Sequence, residues 1–347
     1  MREEAASNDN VEDVQTKDSI PPDKEALRPR RVQVFFKGLS MRDFLCPVCS
    51  GVEWSNLRRY QSSIRVVPQG LTRPRNMSVS IARCNSCRLE FNLDLLTGVD
   101  FSELYVEDQL YSHTDYVYQN ELYPKYSVDT IDEILNFVTQ PGRLMEIGFL
   151  NTDLLARFSK LGWDTLGVDL DPQDVEKARA QGFDAYATDI SGPVLDGEKF
   201  DLIFAIAVLE HIEDPRKFVS RISELLRPGG VALFQLPNPV SLNKWVSSHS
   251  PHGWDMYLEP GHVYHYKQRH LETLFENAGL AMVKFFTSTI RIRGKIPFLP
   301  FRWLLLERLV NHLNHKVPAF CTFYTAGLRL LDYFKLGDTQ TILVKKN

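Results

Sequence analysis

Four thiols are the first residues whose spacing could do chemistry. Cys46-Pro47-Val48-Cys49 and Cys84-Asn85-Ser86-Cys87 each place two cysteines three positions apart, with 34 residues between the pairs. Two thiolates at that spacing on a tight turn can face one ion, and a second such turn completes a tetrahedral shell of four sulfurs. That is the chemistry of zinc, or less often of iron. Four sulfurs leave no coordination position for water or substrate, so the expected role is structural. The plainer alternative is four unrelated buried cysteines. Cys321, the fifth cysteine, stands alone and reads as a small core residue.

Imidazoles form the second group. His249, His252, His262, His265 and His270 fall within 22 residues, more than half of the nine histidines in the chain. Side chains that exchange protons near neutral pH suit acid–base work, whereas packing within an aromatic-rich loop is the plainer role. A second metal site from His262, His265 and Asp255 is a further alternative, though no helical i,i+4 ligand pair supports it.

These groups need elements to hold them. The segment between the cysteine pairs carries β-favouring runs, Ser63 to Val67 and Ser78 to Ile81, as a small ribbon requires. A module of that size has a thin core, for which a metal compensates. Beyond an aromatic and acidic stretch, Val128, Ile131, Leu135 and Val138 recur at helical spacing, and Pro141-Gly142 ends that helix. Strands and helices then alternate. Arg143 to Ile147 is a buried strand turning at Gly148, and the following helix closes at Gly162. Thr165 to Val168 is a strand ending in Asp169, and Asp171-Pro172 opens a helix in cap-then-first-turn order, stopped by Gly182. Tyr186 to Asp189 is a short third strand and Phe200 to Ala207 an almost wholly apolar fourth. A helix from Pro215 to Leu226, a Pro228-Gly229-Gly230 turn and a fifth strand, Val231 to Leu236, complete the series.

This alternation specifies a doubly wound, Rossmann-like α/β domain of parallel βαβ units. In such sheets a ligand lies beyond the carboxyl ends of the strands. Gly148, Asp169, Asp189, Ala205 to Leu209 and Pro237-Asn238 are expected there. Asp169 lies 21 residues past Gly148, the distance at which a carboxylate accepts hydrogen bonds from ribose hydroxyls.

At these residues the sequence resembles the class I S-adenosylmethionine-dependent methyltransferases. The resemblance rests on Phe200-Asp201-Leu202-Ile203, Val208-Leu209-Glu210-His211, Asp214-Pro215 and Leu226-Arg227-Pro228-Gly229-Gly230, a pattern similar to that of the ubiquinone and sugar methyltransferase branch. Glu146-Ile147-Gly148 and Gly167-Val168-Asp169-Leu170-Asp171 match its cofactor motifs. The resemblance covers residues 101 to 290 and implies S-adenosylmethionine as cofactor beside structural zinc. It also implies that Asp169 binds the ribose, that Asp189 accepts from the adenine amino group with Ile190 against the ring, and that Glu146 and Gly148 lie near the methionine end, with Ala205 close by. Pro260 to Tyr266 resembles a loop that faces the substrate in sugar-modifying relatives. On that basis His262 is the first candidate base, His265 the second, and His211 a third whose plainer role is structural. The first turn departs from the family pattern. Where two further glycines are usual, Leu150 and Thr152 stand, putting side chains in the expected path of the cofactor.

Gln268 to Ala278 is read as a helix, residues 280 to 288 as a sixth strand, and Thr341 to Val344 as a seventh returning antiparallel beside it. The resulting division has an unstructured tail (1–36), a zinc ribbon (37–100), a helical connector (101–141), a methyltransferase domain (142–290 with 338–347) and a helical insert (291–337). The insert is basic and aromatic at its start, with Arg291, Arg293, Lys295, Phe298, Phe301 and Trp303. It reads as a helical cap or, through 291–310, as an element that docks on a membrane surface.

A net charge of −4 without a basic stripe argues against nucleic acid as a partner. The first thirty residues lack the apolar core of an export signal, and no run is apolar enough for a membrane span. A cytoplasmic protein, peripheral at a membrane if the insert docks, is expected. The expected activity is methyl transfer to a small polar acceptor, a sugar or polysaccharide precursor. The alternative is a zinc-containing binding or assembly protein on a scaffold that has lost the reaction. A nucleotide-sugar dehydrogenase fits less well, because the Gly-x-Gly-x-x-Gly fingerprint is absent.

Overall fold

The computed structural model describes residues 44–66, 75–96, 134–138, 140–149, 151–248, 253–259, 261–288, 327 and 329–347. All belong to the unit Gln33–Asn347. The expected tail, most of the connector, Val128, Ile131, His249, His252, Cys321 and nearly all of the insert lie outside the described residues.

The cysteine turns stand at the ends of a small antiparallel sheet. Strand β1 (Trp54–Val66) pairs with β2 (Arg75–Cys84), Trp54 opposite Cys84, and β2 pairs with β3 (Glu90–Asn92). A one-turn helix, α1 (Leu93–Leu96), follows. The fourth strand comes from far along the chain: β9 (Tyr264–His265) pairs with β3, Glu90 opposite His265 and Phe91 opposite Tyr264.

The second sheet has seven strands. Those from the middle of the chain are β4 (Arg143–Ile147), β5 (Asp164–Asp169), β6 (Asp184–Ala187), β7 (Phe200–Ile206) and β8 (Leu226–Pro237), all paired in parallel. Their intervening helices are α2 (Asp153–Lys160), α3 (Pro172–Ala180) and α4 (Pro215–Leu225). Short helices α5 (Leu242–Ser247) and α6 (Asp255–Leu258) precede β9, and α7 (Gln268–Glu276) leads into β10 (Leu280–Ser288). The last strand, β11 (Thr339–Lys346), runs antiparallel to both β10 and β8, so the order is β10-β11-β8-β7-β4-β5-β6. The reversal on either side of β4 is the switch point at which α/β sheets hold ligands.

Local chemistry explains most boundaries. Asp171 caps α3 by accepting from Gln173 N at 2.8 Å, with Pro172 in the first turn. Gly162 takes φ +87° after α2, a conformation that costs glycine little. Two boundaries differ from expectation. The third strand occupies Asp184–Ala187, two residues early, because Asp189 is committed to a turn in which Ser191 N and Oγ both donate to its Oδ1. The expected turn at Pro228-Gly229-Gly230 is instead an irregularity inside β8, whose ladder with β7 skips between Phe200 and Leu202. A Cβ at Gly230 would lie 2.9 Å from Arg227 O and 3.1 Å from Phe200 O, so only glycine fits that passage.

One buried cluster runs from Phe44, Ile81 and Phe91 of the small sheet through Tyr264 and Tyr266 to Ile203, Phe234 and Ile342 of the large one. No helix among the described residues is long and apolar enough to cross a membrane.

Candidate functional site

The carboxyl ends of β4, β5 and β7 carry the first part of the site. Gly148 follows β4 with φ +68°, its N–H bonded to Val168 O at 2.8 Å. A Cβ there would sit 2.9 Å from Val208 Cγ2, so the position needs glycine for both conformation and space. Glu146 is buried one residue inside β4, between Gly167 and Phe204 of the adjacent strands. Asp169 ends β5 half-buried, and its Oδ1 accepts from Asp171 N at 2.8 Å. Asp189 is exposed beyond β6 and Ile190 is buried beside it.

At the first turn the Thr152 side chain, expected in the cofactor path, is engaged by the end of α3. Thr152 has φ −90°, which any residue adopts, and its hydroxyl donates to Gln181 Oε1 at 2.6 Å, at the far end of α3. Phe149 turns inward to join Val175, Ala178 and Ala185, its ring filling the space left by Gly167, where a Cβ would approach to 2.7 Å. Leu150 lies outside the described residues. Ala205 is buried within β7, and the exposed residue at the strand's end is Ala207. Ala207 holds φ +53°, a strained conformation for a residue with a Cβ, fixed by its N–H bond to Gln235 O at 2.8 Å.

The second part follows β7. Glu210, His211 and His262 bring one ligand-type atom each within 4.8 Å of one another. The His211 and His262 rings meet edge to face at 4.6 Å, and His265 lies 6.4 Å from His262 between ring centroids. His262 Nδ1 is 3.1 Å from Met256 O. A carbonyl only accepts, so Nδ1 carries the proton and a neutral His262 presents Nε2 as a bare lone pair. Burial first, then the neighbouring His211 and His265, hold His262 well below its ordinary range. Burial also lowers His211 to about 4, against a bond to the Gly261 backbone, and His265 to about 3. Burial works in the opposite direction on Glu210, raising its carboxyl to about 8, and neither oxygen has a hydrogen-bond partner among the described residues. Among the described residues, apart from the four cysteines, this cluster and not the His262–His265–Asp255 grouping brings ligand-type atoms together. In the sequence Glu210 stands out only as part of the Val208-Leu209-Glu210-His211 pattern and not as a site residue. A carboxylate directly beside a histidine after an apolar strand was the available signal.

His270 is not part of this cluster. Its Nδ1 accepts from Lys267 N at 3.1 Å to start α7, and its Nε2 donates to Cys87 O at 2.9 Å.

The four cysteines converge. Cys46 Sγ lies 3.5 Å from Cys87 Sγ and Cys49 Sγ 3.6 Å from Cys84 Sγ, with all four within 4.8 Å. Sulfurs about 2.3 Å from a tetrahedral zinc stand under about 4 Å apart, so the donor set fits that ion in type and spacing. Gly51 N points at Cys49 Sγ from 3.4 Å, the kind of bond that favours a thiolate.

Between these parts lies a buried charge network the sequence did not disclose. Glu90 of β3 accepts from Arg83 at 2.9 Å, from Lys244 of α5 at 2.5 Å and from the Tyr257 hydroxyl of α6. The Lys244 ammonium also sits over the Trp254 and Tyr257 rings at 5.3 and 5.1 Å.

Comparison with known proteins bears on the α/β part. Residues 118–284 match the family model described as a methyltransferase domain. A ubiquinone biosynthesis O-methyltransferase of Cereibacter sphaeroides is 28% identical over 139 residues, 35% of this chain and 56% of that protein. The protein of the same description from Brucella anthropi is 32% identical over 95 residues, 26% of this chain and 38% of its own length. The chain thus spans about half the length, or less, of these curated relatives. A solved S-adenosylmethionine-dependent methyltransferase from Archaeoglobus fulgidus aligns at 16% identity and a TM-score of 0.43, over 67% of this chain and 99% of that one. The similarity to methyltransferase domains thus lies over residues 118–284 of this chain.

Proposed function

We propose that the chain is an S-adenosylmethionine-dependent methyltransferase acting on a hydroxyl of a small polar acceptor, with a sugar as the preferred class. The observation that carries this reading is the neutral His262 imidazole, its Nε2 free to take a proton, grouped with His211 and Glu210 just past the end of β7. An acceptor hydroxyl must lose its proton as it is methylated, and the unprotonated Nε2 of His262 is the atom placed to receive it. S-adenosylmethionine, when bound, supplies a methyl group already activated on a sulfonium. The residues then bind and orient. Asp169 accepts from the ribose hydroxyls, Asp189 from the adenine amino group with Ile190 against the ring, and Glu146 and Gly148 shape the methionine end. His211 braces His262 through its ring edge, and His265, between Trp254 and Tyr257, lines the acceptor side. Zinc on Cys46, Cys49, Cys84 and Cys87 has a structural part.

Calorimetric titration with S-adenosylhomocysteine tests the reading. Micromolar binding is expected, and Asp169→Ala should weaken it about 10- to 150-fold, the loss of about 1.5–3 kcal/mol for hydrogen bonds to a charged group. Absence of binding at millimolar ligand would instead identify a binding or assembly protein on a methyltransferase scaffold.

A further inference from the structure

Among the described residues, two arginines from elsewhere in the chain hydrogen-bond to the cysteine turns, and both lie beside the histidine loops. From the first residues of α4, Arg216 Nε donates to Pro47 O at 2.5 Å, while Arg216 Nη2 donates to Cys46 O at 3.0 Å and Ser50 Oγ at 2.8 Å. From the start of α7, Arg269 Nη2 reaches Cys87 O at 2.8 Å, beside the His270 bond to the same carbonyl. Arg216 follows the loop that carries Glu210 and His211. Arg269 follows β9 and His265. A backbone relay joins the same parts: Asn92 N bonds Val263 O at 2.8 Å, and Val263 N bonds Glu210 O at 2.7 Å.

We propose that the four-cysteine metal centre acts as a clamp that sets the position of both histidine loops, with Arg216 and Arg269 as the positioning residues that couple it to them. This rests on reading the four cysteines as a metal centre. Arg216 holds two backbone carbonyls of one cysteine turn and Arg269 one carbonyl of the other, and those carbonyls take their places only when both turns close on one ion. Metal occupancy therefore orders the N-termini of α4 and α7, and through Val263 it orders the spacing of Glu210 and His262. The coupling is reciprocal: whatever loosens the loops also loosens the metal. A lysine at position 216 cannot replace the arginine, because one ammonium does not match a planar fork serving three acceptors on one turn.

The test uses full-length protein carrying its zinc. Four measurements are made on wild type, Arg216→Ala, Arg216→Lys and Arg269→Ala: zinc content, zinc release to an excess of a chromogenic chelator, amide exchange at Val263 and Asn92, and S-adenosylhomocysteine affinity. Each variant should retain zinc yet release it at least fivefold faster. Val263 should exchange faster, Ile203 in β7 should stay protected, and S-adenosylhomocysteine affinity should stay within twofold. Arg216→Lys should resemble Arg216→Ala. Chelator-treated wild type should show the same faster exchange at Val263, which keeps the test independent of variants that fold poorly. Zinc-loaded variants with wild-type release rates and wild-type Val263 protection would overturn the clamp while leaving the metal centre standing. Wild type that binds no metal would overturn both.

Discussion

Lys244 Nζ lies 2.5 Å from Glu90 Oε2, a buried ion pair between residues 154 positions apart that ties the small sheet to α5. Burial alone would raise the Glu90 carboxyl, but the Lys244 charge and the bonds from Lys244, Tyr257 and Arg83 outweigh it and hold it at about 2. Breaking such a pair leaves an uncompensated buried charge, which is why its loss costs more than the pair contributes.

Glu90→Gln should therefore destabilise the fold by about 3–5 kcal/mol at pH 7. A carboxyl held at about 2 in the fold and near about 4.3 when unfolded binds fewer protons in the native state. Its stabilisation is complete above about pH 4.3 and is lost as pH falls through about 2. Urea unfolding at pH 7 and pH 3 should show the gap between variant and wild type narrowing at the lower pH. An unchanged gap would show that Glu90 is held by packing alone.

Glu210 has the opposite linkage. Its carboxyl, raised to about 8 by burial, stays protonated longer in the fold than in the unfolded chain. The stability this brings is present below about pH 4.3 and is lost as pH rises through about 8. Glu210→Gln, which cannot ionise, should gain on wild type in melting temperature between pH 5 and pH 9. Parallel curves would place the carboxylate in a solvated setting.

His262 should show one neutral tautomer across the working pH range. With Nδ1 bonded to Met256 O and the ring buried, ring nitrogen shifts measured by NMR should stay flat from pH 8 to pH 5. Titration near the ordinary value of about 6.5 would mean an open, solvated ring whose Nδ1 is not held by Met256 O.

Thr152→Gly tests the unusual first turn. Because Thr152 already has negative φ and gives its hydroxyl to Gln181, restoring glycine should change S-adenosylhomocysteine affinity less than about twofold and stability by only a few tenths of a kcal/mol. Tighter binding by tenfold would show that the side chain does obstruct the pocket.

Much of the fold was legible because its signals are local. Phe200–Ile206 is a strand buried on both faces and is written as an apolar run, and Asp171-Pro172 announces a helix through the hydrogen bond its own side chain makes. The spacing of the four cysteines foretold that their sulfurs would converge. The strand boundaries at Asp184 and Leu226 were not legible, because each depends on which residue the neighbouring strand offers as a partner.

The sequence by itself determined the parallel βαβ series, the acidic residue at the end of β5 and the four-sulfur set, since each is specified by residues close together in the chain. Only the tertiary structure decided that Tyr264–His265 would pair with Glu90–Phe91, that Lys244 would answer Glu90, and that Arg216 and Arg269 would grip the cysteine turns. A two-residue strand has no periodicity to read, and a buried charge looks like any surface charge until its partner, more than a hundred residues away, is brought beside it.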